Sequence, residues 1–179
     1  MKWLLYLFCL FSSLFSEIIE TKNFREILQY TGEKPLVILD IDDTLLIPVQ
    51  ALGTDAWFCH KLQCYKKQMD PKAALNKIVS EWEAIRKLTS VKRVEEDIDQ
   101  VIADMQKKEL IIMGLSTQGL GLSSCTINQL RFLNIDLSKT APSKEDCYFL
   151  NHGQGVLYRS GILFTSGSPK GAALKNFLA

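Results

Sequence analysis

Apolar residues along this chain fall into short unbroken runs and longer periodic stretches, and the two kinds alternate. Leu36-Val-Ile-Leu39, just after Pro35, is a compact run that predicts a strand buried on both faces of a parallel sheet. A second run over 110–113 leads into Ser116-Thr117 and predicts another strand. Later, Tyr148-Phe-Leu150, Val156-Leu-Tyr158 and Ile162-Leu-Phe164 alternate with glycine. That pattern predicts short strands or a hairpin, with His152 as a turn residue in Asn151-His152-Gly153.

Helical spacing marks the rest. Phe24, Ile27 and Leu28 predict a helical lead-in over 17–30, ended by Thr31-Gly32. Asp70-Pro71 predicts an N-cap followed by proline in the first turn, on a helix whose face carries Ala74, Ile78, Trp82 and Ile85. Val94, Ile98, Val101, Ile102 and Met105 make another face, with Lys107 and Lys108 suited to a helix C-terminus. Leu122, Ile127, Leu130 and Leu133 predict a helix over 120–133. Strands alternating with helices predict an α/β fold with a parallel sheet. The mainly helical 48–108 reads as an insert between two halves of one core, 17–47 and 109–179.

Composition refines this picture at a few points. The chain is 47% hydrophobic over 179 residues, which suits one core with a small insert. A formal net charge of +1 gives no electrostatic footprint for nucleic acid or an anionic membrane surface. Met1-Lys2 and the apolar run 3–15 form a basic start and a core shorter than the ~20 residues that span a bilayer. They predict a signal peptide over 1–16 and an exported protein, periplasmic or secreted, with no stable membrane insertion after cleavage. The alternative is an uncleaved N-terminal anchor. Cys59, Cys64, Cys125 and Cys147 then remain, an even count that permits disulfides in an oxidising compartment; buried thiols or a local disulfide are the expectation.

The candidate chemistry sits at the strand ends. Asp40, Asp42 and Asp43 follow the first strand directly, and carboxylates there are costly unless a cation or hydrogen bonds hold them. The crevice outside the carboxyl ends of strands is where open α/β sheets bind ligands. Alternation puts Asp40 and Asp42 on one side of the chain, close enough to share a hard divalent metal ion. Ser116 offers a hydroxyl at the next strand end, and Gly119 and Gly121 permit a tight turn into the following helix. Lys170 opens a helix after Ser166-Gly-Ser-Pro169, where its charge would offset that of Asp40. Gln50, Asp55, His60 and Lys61 in the insert read as a solvated face.

Asp40-Ile41-Asp42-Asp43-Thr44 resembles the first motif of the haloacid dehalogenase-like (HAD) superfamily, Asp-x-Asp-x-Thr. Ser116 takes the place of the second motif, and Lys170, Gly171, Leu174 and Phe177 fall at the spacing of the third. The resemblance implies a Rossmann-like, HAD-like core with an inserted α-helical cap that closes over the site and selects substrate. It also implies an Mg²⁺-dependent phosphatase acting on a small phosphorylated substrate. Asp40 would be the nucleophile, Asp42 the general acid/base, and Ser116 and Lys170 the groups holding phosphoryl oxygens. The metal would lie on Asp40 and the backbone carbonyl of Asp42. The Gly155-Val-Leu-Tyr158 and Gly161-Ile-Leu-Phe-Thr-Ser-Gly167 phrases look like an exported bacterial branch of the superfamily. The family's fourth motif, a later strand ending in an acidic pair, has no counterpart before Ala179. Two expectations follow: a fragment of such a phosphatase, or a truncated, catalytically inactive remnant that at most binds a partner. Both leave the edge of the Asp40 strand open.

Overall fold

The computed structural model describes residues 17–32 and 35–179, so the signal-peptide expectation for 1–16 lies outside the described residues. The order along the chain begins with β1 (Leu36–Leu39), β2 (Leu46–Pro48), α1 (Asp55–Lys66), α2 (Pro71–Leu88), β3 (Val91–Arg93) and α3 (Ile98–Lys107). It continues with β4 (Ile111–Ser116), α4 (Ser123–Phe132), β5 (Cys147–Asn151), β6 (Gln154–Arg159), β7 (Ile162–Phe164) and α5 (Lys170–Leu178). The lead-in is a single 3₁₀ helix, Phe24–Gln29, capped by Asn23.

Five strands form one mixed α/β sheet in the order β1-β4-β7-β6-β5. β1, β4 and β7 run parallel, with Leu39 opposite Gly114 and Ser116 opposite Phe164. That register brings the carboxyl ends of three strands to one edge, which is what gathers the site. β5 and β6 are antiparallel, the short strands and hairpin their pattern predicts, so the parallel part of the sheet is β1, β4 and β7. Their connections are tight turns, His152-Gly153 and Ser160-Gly161, all four residues having positive φ. Two-residue turns of this kind reverse the chain and exclude a parallel pairing.

The sheet has two covered faces. On one, Val37, Leu39, Ile112, Ile162 and Phe164 pack with Ile98, Val101, Ile102 and Met105 of α3 and with Ile127 and Leu130 of α4. On the other, Met113, Leu115 and Leu163 meet Ala173 of α5, with Leu174 and Phe177 against them. The Phe177 ring stacks on Tyr158 at 4.4 Å. β1 is an edge strand, and its Ile38 is 38% exposed, so burial on both faces does not hold for it.

Within 48–108 the structure adds a strand to the expected helices. β3 pairs antiparallel with β2, Pro48 opposite Val91, and closes a small two-stranded sheet. α2 begins as its sequence predicts: the Asp70 carboxylate accepts from the N–H groups of Lys72 and Ala73, with Pro71 in the first turn. α1 and α2 pack side by side, Phe58 edge-on to Trp82 at 6.3 Å. The four described cysteines are free and none is buried, which corrects the disulfide and buried-thiol expectations.

Candidate active site

Asp40 leaves the end of β1 with its carboxylate about half exposed. Its Oδ1 accepts from the Ile41 N–H at 2.8 Å and from Lys170 Nζ at 2.6 Å. The lysine arrives from the far end of the sequence because β7 is parallel to β4 and the chain then turns back across their ends. The turn is tied down at several points. Ser166 N–H bonds the Gln118 carbonyl at 3.0 Å, Gly167 N–H bonds the Thr117 carbonyl at 2.9 Å, and Thr165 Oγ1 donates to the Ser168 carbonyl at 2.9 Å. Ser166 and Gly167 take φ values of 48° and 79°, so a small or glycine residue suits this turn. Asn151, at the end of β5, donates to Ser168 Oγ and accepts from Asn176 of α5.

Asp42 faces a different set of groups. Arg86 Nη2 lies 2.6 Å from its Oδ1, and Gln118 Nε2 donates to both oxygens at 3.1 and 2.8 Å. Burial pushes the Asp42 carboxyl up from its ordinary value of 3.8, against the pull of Arg86 and Gln118; the neighbouring Asp40 and Asp43 charges add to the rise. Arg86 is only 3% exposed, and its guanidinium lies over the Trp82 ring at 5.4 Å. Asp43 has φ 58°, a left-handed conformation that aspartate tolerates, and its N–H closes the loop onto the Leu46 carbonyl at 3.0 Å.

The four residues expected at the site thus divide. Asp40 and Lys170 form a pair in the open. Asp42 lies on the wall of a cavity of about 770 Å³ between α1, α2 and the strand-end loops. Ser116 is 1% exposed and off that wall; its Oγ accepts from the Gln118 N–H at 3.1 Å. Its neighbours Thr117 and Gln118 line the cavity instead. Gly119 has φ −72°, so the turn does not require glycine there. A Cβ there would sit 2.3 Å from Glu83 Oε1, the tip of a flexible side chain that can move aside. Of the polar residues in the insert, Asp55 lines the cavity, while Gln50 donates to Thr89 at 3.3 Å.

Sequence reasoning missed Arg86 and Gln118. The signal for Arg86 was available: Ala74, Ile78, Trp82 and Arg86 recur every four residues, which places a charge on an otherwise apolar stripe. Among the described residues no group of three or more His, Cys, Asp or Glu side chains is arranged to hold a metal ion. Mg²⁺ needs only one or two carboxylates when substrate phosphate and water complete its shell. The half-exposed Asp40 carboxylate fits that part. The Asp42 side chain does not, because Arg86 and Gln118 hold it.

A family model described as "Protein of unknown function (DUF2608)" matches residues 20–179. The chain belongs to that family. A Chlamydia pneumoniae relative named "Putative outer membrane protein" is 31% identical over 98% of this chain and 68% of its own length. A Chlamydia trachomatis serovar D protein with the same name is 27% identical over 99% of this chain and 69% of its own. A second Chlamydia pneumoniae protein is 27% identical over 90% of this chain and 63% of its own. The chain therefore spans about two thirds of the length of these relatives. Their names are consistent with export, and no helix among the described residues is long and apolar enough to cross a membrane. No solved structure matches the chain.

Proposed function

We propose that this chain carries the phosphoryl-transfer centre of an exported, HAD-like phosphomonoesterase. The observation that carries the proposal is the division of labour between two aspartates two residues apart. Asp40 is solvent-accessible and paired with Lys170 at 2.6 Å, which suits an attacking carboxylate. Asp42 is pushed toward its protonated form by burial, which suits a proton donor.

In the first step an Asp40 oxygen attacks phosphorus and the bond to the leaving alcohol breaks. Asp42 gives that alcohol oxygen its proton. In the second, Asp42 takes a proton from water, the hydroxide attacks phosphorus, and the bond to Asp40 breaks to release phosphate. Lys170 offsets negative charge beside Asp40 throughout, and Thr117, which lines the cavity next to the buried Ser116, offers a donor to phosphoryl oxygens. Mg²⁺ bound through Asp40 would supply further charge neutralisation at the phosphoryl group. One observation favours the alternative of a non-catalytic binding protein: Asp42 must leave Arg86 and Gln118 to reach a substrate.

The test is phosphate release from p-nitrophenyl phosphate with Mg²⁺, together with borohydride trapping of the acyl phosphate and peptide mass mapping. Label at Asp40 and loss of turnover in Asp40→Asn, with the fold intact by circular dichroism, are expected. Near wild-type turnover in Asp40→Asn, or label on another residue, sinks the assignment.

A further inference from the structure

The cavity beside Asp42 has a charge and a texture of its own. Among the described residues four that line it are acidic, Asp42, Asp43, Asp55 and Glu83, and one is a cation, Arg86. That cation is already engaged with Asp42 at 2.6 Å. Among the described residues Asp43, Asp55 and Glu83 make no salt bridge. Glu83 is half-buried, and its carboxylate lies against the Gln118-Gly119 loop. A half-buried carboxylate that makes no direct ion pair is costly to desolvate further unless a positive ligand arrives with the same step.

The remaining wall is apolar and aromatic. Phe58, Leu75, Val79 and Trp82 come from α1 and α2, with the two rings edge to face. Aromatic faces next to uncompensated carboxylates attract organic cations, which combine apolar surface with positive charge. The same wall repels ligands carrying several phosphates or carboxylates. The cavity, about 770 Å³, has the size of a small-molecule site.

We infer that this cavity binds a compact organic cation, of the quaternary-ammonium or amino-alcohol class. On the phosphoryl-transfer reading above, on which this last assignment rests, the cation is the leaving alcohol of the phosphomonoester. Glu83 and Asp55 select its charge, and Phe58 and Trp82 its apolar body.

Calorimetry on the full chain with choline and with its neutral isostere, 3,3-dimethylbutan-1-ol, tests the inference without any turnover. Choline is expected to bind about fivefold to tenfold more tightly than the isostere, and Glu83→Gln or Asp55→Asn to narrow that gap. Equal affinity, or a preference for the neutral alcohol, overturns the inference. Turnover separates it from the phosphatase reading. Hydrolysis of aryl phosphate through Asp40 with no preference for choline binding or phosphocholine overturns the cation site alone. Glu83-dependent choline binding with no hydrolysis of any ester upholds the cation site and removes the phosphatase.

Discussion

Replacing Arg86 by methionine keeps most of the buried stem and removes only the charge. The wild-type guanidinium is 2.6 Å from Asp42, whose side chain is 28% exposed and also receives two Gln118 bonds. Deleting one partner of a buried pair costs ~3–5 kcal/mol, and the residual exposure and the glutamine bring the expectation to about 2 kcal/mol. Losing the contact with the Trp82 ring adds ~0.5–1 kcal/mol. The cost depends on pH, and the sign follows from linkage. The folded-state pKa of Asp42 lies above its ordinary 3.8. Its stabilising contribution is therefore full below 3.8 and is lost as pH rises through the folded value. Arg86 opposes that rise, so Arg86→Met pushes the pKa higher and deepens the loss at neutral pH. Urea denaturation at several pH values should give a destabilisation of about 2–3 kcal/mol at pH 8 that falls to about 1 kcal/mol or less near pH 4. A double-mutant cycle with Asp42→Asn should show a coupling of ~1–2 kcal/mol. A destabilisation that does not change with pH, or a coupling near zero, would refute the pairing.

Other expectations concern the scaffold. Gly161 has φ 79°, and a Cβ there would lie 2.7 Å from the Leu137 carbonyl oxygen, so Gly161→Ala should cost about 2 kcal/mol or more in a thermal melt. Gly171, in α5, would meet nothing within 4 Å, so Gly171→Ala should be neutral or stabilising by up to ~1 kcal/mol. If the two variants behave alike, the turn geometry at Gly161 is wrong. Asp70→Ala removes the acceptor for two N–H groups at the start of α2 and should lower Tm by about 2–4 °C, for a loss of ~1 kcal/mol.

Local chemistry was legible in the sequence. The run ending at Asp40, the Asp70-Pro71 start of α2, the His152 turn and the helix opened by Lys170 all depend on residues a few positions apart. Backbone sterics, capping and apolar period act over that range, so a sequence pattern records them directly. What the sequence left open is decided by pairs far apart along the chain. Arg86 reaches Asp42 across 44 residues, Gln118 across 76, and Lys170 reaches Asp40 across 130. Among these, only the Lys170 approach was anticipated, from the helix it opens and from the motif resemblance. The mixed sheet, the crowding of Glu83 against Gly119 and the free cysteines likewise depend on which surfaces meet. Those meetings are set by strand register and packing of the whole core, which no short window of sequence contains.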